Sequence, residues 1–246
     1  MSRPSGMGGA FIAISDDVNG IYTNPAGFCY GSGQEFDIYA NKGRADSNGL
    51  GGAYRYTFGD ISAVGVAILR GSLPSYDWRY GYIAYSRQIF ENFSIGLNLK
   101  SEQLALPTKI GTGSSADLGV LYKVNGWFSL GCVVQNILST SIKYDDGSPE
   151  TEQSRYIEAG LAWMLIEKKM NLAIDLSRAG SSFCYRAGLE GVLTESITLR
   201  GGVSGSAEDV STRALSAGLS YKINNSQGID LAIEGSSTTA SFSMLF

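Results

Sequence analysis

The chain has 246 residues, among them 32 glycines and 14 tyrosines, with a net charge of −4 and a mean hydropathy of −0.01. This composition is too polar for a helical membrane protein and too aromatic for a disordered one, and no stretch approaches the roughly 18 consecutive apolar residues of a membrane-spanning helix. Without histidine or a basic stripe, the sequence excludes histidine-based catalysis and indicates no nucleic-acid binding.

Residues 1–33 are rich in glycine and then apolar, and they do not follow the pattern of the rest of the chain. Such a segment, placed before a barrel, lies either outside it as a tail or inside it as a plug. Burial inside is favoured by its apolar side chains, which are Phe11, Ile12, Ile14, Ile21, Tyr22 and Phe28. We therefore expect residues 1–33 to form a hatch in the lumen.

Asp16 or Asp17 is expected to cap a short helix that ends before Asn24-Pro25. The two carboxylates also raise the alternative of a paired-carboxylate or metal site. Adjacent side chains of an extended chain point apart, however, so we expect capping or hatch contacts instead. No metal and no cofactor are predicted.

From Gln34 onward, segments of alternating apolar and polar residues are separated by Gly, Asn, Asp or Ser. Strict alternation is typical of strands with two chemically different faces. In the clearest example, residues 92–100, Phe93 and Leu97 fall on one face and Asn98 and Lys100 on the other. The sequence predicts about fourteen strands, an even number as in bacterial barrels. They lie near 34–42, 51–58, 61–70, 78–87, 92–101, 115–124, 126–136, 155–165, 170–178, 182–192, 196–204, 213–222, 228–234 and 238–246.

The predicted links alternate in length. Short links follow the even-numbered strands, at Gly59-Asp60, Phe90-Glu91, Asn125, Glu167–Lys169, Thr194-Glu195 and residues 224–227. Longer links follow most odd-numbered strands, at residues 42–50, 71–77, 102–114, 137–154 and 205–212, and those after strands nine and thirteen are short. Alternating turns and loops are typical of a barrel with a periplasmic and an extracellular rim. We predict an all-β, transmembrane antiparallel barrel over residues 34–246, as a single structural domain.

A soluble β-sandwich would also show two-faced strands, with its charges in water. The polar face is rich in Gly, Ala and Ser, which suits a crowded interior better. The predicted lumen charges are Glu158, Asp175, Arg186, Glu190, Arg200, Lys222, Asp230 and Glu234. Aromatic residues near strand ends are expected to form interfacial girdles, and these are Tyr80, Tyr82, Tyr122, Tyr156, Trp163 and Tyr221.

The last strand places Phe242, Met244 and the terminal Phe246 on one face. This pattern predicts recognition by the outer-membrane barrel assembly machinery, with membrane lipid as the surrounding partner. The first residues carry no secretory signal, so we expect that a signal peptide was removed or that the start was assigned late. Three distant cysteines, Cys29, Cys132 and Cys184, are expected to be small apolar fillers.

The amino-terminal segment resembles the PorV/PorQ outer-membrane proteins and, more distantly, the FadL-type long-chain fatty-acid channels. It does so in three runs: Gly6-Met7-Gly8-Gly9-Ala10-Phe11, Ser15-Asp16-Asp17 and Tyr22-Thr23-Asn24-Pro25-Ala26-Gly27. Further matches lie at residues 130–136, 199–202 and 215–219. The resemblance implies a barrel of fourteen strands with an amino-terminal hatch. The hatch motif comprises Gly6, Met7, Gly8, Gly9, Phe11, Asp16, Asp17, Tyr22, Asn24 and Pro25.

The resemblance implies two functions. PorV-type proteins serve type IX secretion, which predicts a component that binds secreted cargo in protein secretion or surface assembly. FadL-type proteins pass hydrophobic small molecules such as long-chain fatty acids across the outer membrane, which is the alternative. A purely structural barrel or small porin is a third possibility. None of the three is an enzyme, and no enzymatic activity is expected.

Overall fold

The computed structural model describes residues 1–43, 47–59, 61–167 and 169–246. Within these ranges fifteen strands form one antiparallel sheet. They are β1 (Gln34–Lys42), β2 (Asn48–Phe58), β3 (Ser62–Leu73), β4 (Tyr76–Phe90), β5 (Phe93–Ala105), β6 (Ile110–Lys123), β7 (Phe128–Ser139), β8 (Lys143–Tyr144), β9 (Tyr156–Ile166), β10 (Met170–Ala179), β11 (Ser182–Val192), β12 (Ile197–Ser206), β13 (Ala214–Lys222), β14 (Gln227–Glu234) and β15 (Ser237–Leu245). Asp60 and Lys168, expected in turns, lie outside the described residues.

The sheet closes on itself. Each long strand pairs with its neighbours in the chain, β7 pairs directly with β9, and β1 pairs with β15 in a register that places Ile38 opposite Phe242. The short strand β8 lies in the loop between β7 and β9 and pairs with β6 at Gly111 and Thr112. Among the described residues, therefore, fourteen strands form the barrel wall, and the predicted fold is confirmed.

Alternation along each strand separates an outer from an inner face. On β5, Leu97 and Leu99 are 42% and 55% exposed, whereas Asn98 is 2% exposed and Ser94 is completely buried. The apolar side chains therefore face outward and the polar ones face the lumen, the reverse of a soluble sandwich. No helix in the described ranges is long and apolar enough to cross a membrane.

The two rims of the barrel differ. We call the end that carries both ends of the wall, Gln34 and Phe246, the turn rim, and the opposite end the loop rim. Two links at the loop rim, predicted at residues 71–77 and 102–114, are shorter than expected. The strands β3 to β6 extend beyond the residues in which apolar and polar side chains alternate. Pro74 and Ser75 alone join β3 to β4, and residues 106–109 join β5 to β6. Polar residues beyond the apolar part of these strands continue the pairing, since a strand needs no apolar face in water. Residues 140–155 remain a long loop.

The amino-terminal segment lies inside the barrel, as expected of a hatch. It contains a short helix, α1 (Ser2–Gly6), and two 3₁₀ turns at Val18–Ile21 and Phe28–Tyr30. Met7, Phe11 and Phe28 are completely buried. The predicted cap is confirmed, because the Asp17 side chain accepts a hydrogen bond of 2.8 Å from the backbone N–H of Asn19.

Candidate functional site

The hatch contacts most strands of the barrel wall. Glycines on the inner face of the wall permit this close approach. A Cβ atom on any of them would lie within 3.0 Å of a hatch atom. They stand on different strands and are Gly65, Gly96, Gly119, Gly131, Gly160, Gly188, Gly202 and Gly218. We call this set the glycine belt. Any side chain there would compete with the hatch for space, so the belt fixes where the hatch lies.

The glycines of the hatch motif serve the same contact from the other side. Gly8 and Gly9 have φ angles of 63° and 80°, in the left-handed region that favours glycine. A Cβ on Gly8 would lie 2.8 Å from the backbone nitrogen of Val203, and one on Gly9 would lie 2.8 Å from Cδ of Arg186. Gly6 likewise lies against Gly218. The sequence Gly6-Met7-Gly8-Gly9 therefore lets the hatch backbone lie directly on the wall.

Asn24 and Pro25 hold the far end of the hatch. The buried Asn24 amide donates hydrogen bonds of 2.9 Å to the Ile12 carbonyl and 3.0 Å to the Val120 carbonyl on β6. Its Oδ1 atom accepts a hydrogen bond of 3.1 Å from the backbone N–H of Ala26. One side chain thus joins two parts of the hatch to the wall, and Pro25 lies against Gly96.

Arg3 on α1 connects the hatch to the lumen charges. Its guanidinium contacts Asp16 at 2.7 Å, Asp17 at 2.8 Å and Glu190 on β11 at 2.8 Å. Asp16 and Asp17 do not point apart as expected, because both carboxylates contact the same guanidinium nitrogen of Arg3, although the backbone at Asp17 is extended. Both carboxylates therefore make hatch contacts rather than a separate acidic site.

Glu190 extends this contact into an ion-pair network. It accepts from Arg200 at 2.7 Å, and Arg200 in turn contacts Asp230 at 2.8 Å. The Arg200 and Glu190 side chains are only 5% and 8% exposed, so little water screens them. The network links α1 of the hatch to strands β11, β12 and β14.

The remaining predicted lumen charges differ in their placement. Asp175 is completely buried and accepts hydrogen bonds from the backbone N–H groups of Phe11 (2.6 Å) and Ile12 (3.0 Å). Glu158 pairs with Arg186, and Glu234 accepts from the Ser204 hydroxyl at 3.4 Å. Lys222 is different: it is exposed at the end of β13 and, within the described ranges, forms no ion pair.

Two further buried pairs were not expected. Arg55 on β2 is 2% exposed and lies 2.8 Å from Glu35 on β1, which also accepts from the Val18 backbone N–H of the hatch. Lys100 on β5 contacts Asp117 on β6 at 2.6 Å. The four charged residues of these pairs lie on the polar faces of predicted strands. Applying the alternating pattern to every charged residue would therefore have predicted that they face the lumen.

Aromatic side chains line the inner wall on the loop-rim side of the hatch. Trp78, Tyr80 and Tyr82 alternate along the inner face of β4, with ring centroids 5.7 Å and 6.1 Å apart. Tyr82 then meets Tyr22 of the hatch at 5.4 Å, and Tyr22 meets Tyr39 of β1 at 6.1 Å. We call these five residues the aromatic ladder. It leads from the loop rim to the hatch.

Contacts with the wall hold the aromatic ladder in place. Trp78 packs over Gly71, and the Tyr80 hydroxyl donates a 2.6 Å hydrogen bond to Glu102. The Tyr22 hydroxyl donates to the Gly52 carbonyl at 3.1 Å. Burial raises the pKa of the Tyr22 hydroxyl, so this group stays a neutral donor. The aromatic faces between these fixed points suit apolar or aromatic molecules.

The expected interfacial girdle is wrong for Tyr80 and Tyr82, which face the lumen. Both faces of residues 78–87 carry aromatic residues, so their spacing alone cannot tell which face is outside. Tyr156 lies on the same face of β9 as Glu158, which is the lumen face, and it is close to the loop rim, so the girdle prediction is wrong for this residue as well. The other three predicted girdle residues, Tyr122, Trp163 and Tyr221, stand on outer faces near the turn rim.

Other predicted sites have simple placements. Phe242 and Met244 stand on the outer face of β15 and Phe246 is 69% exposed, and their role as an assembly signal stays a prediction. All three cysteines are free thiols, and burial raises the pKa of Cys29 in the hatch. Among the residues that the structure describes, no cluster of three or more Cys, Asp or Glu side chains is placed to hold a metal ion.

The sequence matches no protein-family profile and no curated protein. Solved structures share the fold. The toluene transporter TbuX of Ralstonia pickettii has a TM-score of 0.76 at 14% identity, with 100% of this chain and 98% of that chain covered. The CymD monoaromatic hydrocarbon channel gives 0.81 at 13% identity, covering 100% and 97%. A FadL homologue of Pseudomonas aeruginosa gives 0.70 at 10% identity, covering 98% and 96%.

Proposed function

We propose that this protein is an outer-membrane channel for small, uncharged hydrophobic molecules, and that residues 1–33 act as its hatch. The aromatic ladder carries the proposal, because it offers a continuous series of aromatic faces from the loop rim to the buried hatch. A hydrophobic molecule entering at the loop rim meets Trp78 first and Tyr22 of the hatch last. Movement of the hatch would then release it toward the turn rim.

The outer surface supports a place in a membrane. Large apolar side chains stand in rows on the outer face, among them Ile68 at 72%, Ile83 at 65% and Leu215 at 77% exposed. Monomeric soluble proteins rarely expose contiguous apolar patches beyond a few hundred Å². A bilayer would cover these rows, and the closed wall leaves no unpaired strand edge within it.

The surroundings of a cation beside the aromatic ladder favour an uncharged ligand over a fatty acid. Lys100 lies directly across from Tyr82 on the neighbouring strand. Its ammonium group is already held by Asp117 at 2.6 Å and by the Asn136 amide oxygen at 2.7 Å. A fatty-acid carboxylate would have to compete with Asp117 for this charge, whereas a neutral aromatic molecule would not.

The comparisons favour this function over a role in secretion. TbuX is a toluene transporter and CymD a monoaromatic hydrocarbon channel, and both names describe the passage of small hydrophobic molecules. The PorV/PorQ interpretation rests mainly on the amino-terminal motif. The contacts of these residues with the wall already account for the motif, without a role in secretion. Apart from the loop at residues 140–155, the links at the loop rim are short and offer little surface for binding a folded cargo protein.

Uptake by cells tests the proposal. Cells that produce the protein in their outer membrane are given radiolabelled toluene or radiolabelled oleate, and cells with an empty vector serve as the control. We expect faster accumulation of toluene and no change for oleate. Heat-modifiable migration on SDS gels verifies that the barrel is folded. A folded barrel that accelerates neither compound overturns the proposal, and one that accelerates only oleate replaces the uncharged ligand with a fatty acid.

A further inference from the structure

The outer face of β1 to β5 carries a depression of about 1330 Å³. The strand register explains it. One row across the sheet reads Ile38, Gly52, Ile68, Gly81 and Ser101, so two of its five outer positions have no side chain. Bulkier rows flank it on both sides. We call this depression the furrow.

The wall of the furrow toward the turn rim is apolar. It consists of Phe36, Tyr54, Val66, Ile83 and Leu99, which stand opposite one another in the next outer row. The volume exceeds the roughly 300–1,000 Å³ of sites for drug-sized molecules. Surfaces of this kind suit flexible hydrocarbon chains, and in a membrane the hydrocarbon at hand is the acyl chain of a lipid.

Two arginines stand on the opposite side of the furrow, toward the loop rim. Arg70 on β3 and Arg79 on β4 are direct cross-strand partners, and both are exposed on the outer face. Among the described residues, no carboxylate lies within ion-pair distance of either guanidinium, although Asp77 stands in the adjacent row. Like charges directly opposite each other are destabilising unless an anion lies between them.

We propose that the furrow with Arg70 and Arg79 binds one anionic membrane lipid, its acyl chains in the furrow and its phosphate between the two arginines. Paired guanidinium groups match phosphate oxygens in geometry and charge. Arg70 and Arg79 lie two residues beyond Ile68 and Gly81 of the furrow, which is roughly 7 Å along the strand. A lipid with its acyl chains in the furrow would place its head group at this position. The inference rests on the proposed membrane location and is independent of what the channel carries.

Lipid retention tests the proposal. The full-length protein in detergent is mixed with equal amounts of dioleoyl phosphatidylglycerol and dioleoyl phosphatidylcholine and then passed over a gel-filtration column. Retained lipids are counted by mass spectrometry. We expect the wild type to retain phosphatidylglycerol over phosphatidylcholine by about tenfold. Both lipids carry a phosphate, but the choline ammonium is repelled by the two arginines and offsets that phosphate, whereas phosphatidylglycerol has a net negative charge. Glycerol phosphate, which has no acyl chains, should not displace the retained lipid.

Variants separate the two parts of the site. The double variant R70Q/R79Q should lose the preference between head groups. Gly81→Leu should reduce retention of both lipids, since a Cβ at Gly81 meets nothing within 4 Å and the larger side chain fills the furrow. Arg87→Gln, outward on the same strand near the turn rim, and Gly191→Leu, outward on β11, are matched controls that should behave as wild type.

Several results would overturn the inference. Equal retention of both lipids by the wild type, displacement by glycerol phosphate alone, or the same loss in R87Q as in R70Q/R79Q would each do so. Heat-modifiable migration of every variant shows that the barrel is folded. A folded barrel that transports toluene yet retains no lipid refutes the lipid site and leaves the proposed channel intact.

Discussion

The carboxylate of Asp175 on β10 accepts a 2.6 Å hydrogen bond from the backbone N–H of Phe11 in the hatch. The same oxygen accepts from the next N–H, that of Ile12, at 3.0 Å. A completely buried acidic group of the wall therefore satisfies two successive donors of the hatch backbone. Such groups are costly to leave without partners, so the hatch and the wall each depend on the other.

Asp175→Ala should loosen the hatch without opening the barrel. Two buried N–H groups lose their acceptor, and each such loss costs about 1–3 kcal/mol. We expect limited proteolysis to cleave residues 1–33 faster in the folded variant, while heat-modifiable migration is unchanged. Asp77→Ala, which removes an exposed carboxylate from the outer face, is the control. Equal protease resistance of D175A and wild type would contradict the role given to this contact.

Glu190 should matter more than Arg3. Removing Arg3 leaves Glu190 paired with Arg200. Removing Glu190 takes away the carboxylate that joins Arg3 to Arg200, and leaves Arg3 with the carboxylates of Asp16 and Asp17 and Arg200 with that of Asp230. Because each guanidinium keeps another carboxylate, the loss should fall below the roughly 3–5 kcal/mol of leaving a buried charge without any partner. We expect E190A to lower the urea midpoint of barrel unfolding clearly more than R3A does, as measured by the folded fraction on unboiled gels. Equal midpoints for the two variants would show that the network is not centred on Glu190.

Gly188→Val should displace the hatch. Its added side chain would collide with Met7, whereas a β-branched residue is otherwise well suited to a strand. We expect a folded barrel with increased ion conductance in planar bilayers, because a displaced hatch no longer fills the lumen. Gly191→Val lies three positions further along the strand and faces outward, with its nearest contact at 4.0 Å. Conductance that rises equally in both variants would exclude the glycine belt as the cause.

Tyr82→Ala should weaken binding of toluene to the purified protein. Tyr82 joins Tyr80 to Tyr22 in the aromatic ladder, and an aromatic contact contributes about 0.5–1.5 kcal/mol, or roughly threefold to tenfold in affinity. Equilibrium dialysis with radiolabelled toluene measures the change. Tyr82→Phe should bind as wild type, and so should Tyr85→Ala on the outer face. Loss of binding in Y85A as well would point to the outer surface rather than to the lumen.

Cys29 should report the position of the hatch. Burial raises the pKa of its thiol, so at a given pH less of the reactive thiolate is present, and access is blocked as well. With Cys132 and Cys184 replaced by serine, we expect very slow maleimide labelling at pH 8, measured by mass spectrometry. Adding Gly188→Val should accelerate it strongly. Rapid labelling of the barrel with its hatch undisturbed would show that residues near Cys29 open on their own.

The alternation of apolar and polar residues was sufficient to predict the strands of the wall. It was not sufficient to predict which way certain side chains face. The period of two placed Leu97 outside and Asn98 inside because one face of β5 is consistently apolar. On β4 both faces carry aromatic residues, so the inner position of Tyr80 and Tyr82 depends on register with Lys100 and Glu102, which lie on another strand. The aromatic ladder could not be predicted for this reason, although its members were singled out.

The hatch contacts show a second limit. The sequence indicates a glycine-rich start and a capping aspartate, and Asp17 does cap its turn. Which wall residue receives each hatch group depends on the three-dimensional path of residues with few regular hydrogen bonds of their own. Contacts such as Arg3 with Glu190, which are 187 positions apart, follow from no local pattern. Asp175 was predicted to face the lumen, but its two backbone partners could be identified only in the folded chain.

The pairing of β1 with β15 has a consequence for biogenesis. It joins Ile38 to Phe242, so the wall cannot close until the last strand has been synthesised and delivered. Until then the hatch, which is made first, has nowhere to bury Met7, Phe11 and Phe28. Pairings between distant parts of a chain form late, and uncovered apolar segments aggregate. The apolar side chains of residues 1–33 therefore stay uncovered until the strand that closes the wall is in place.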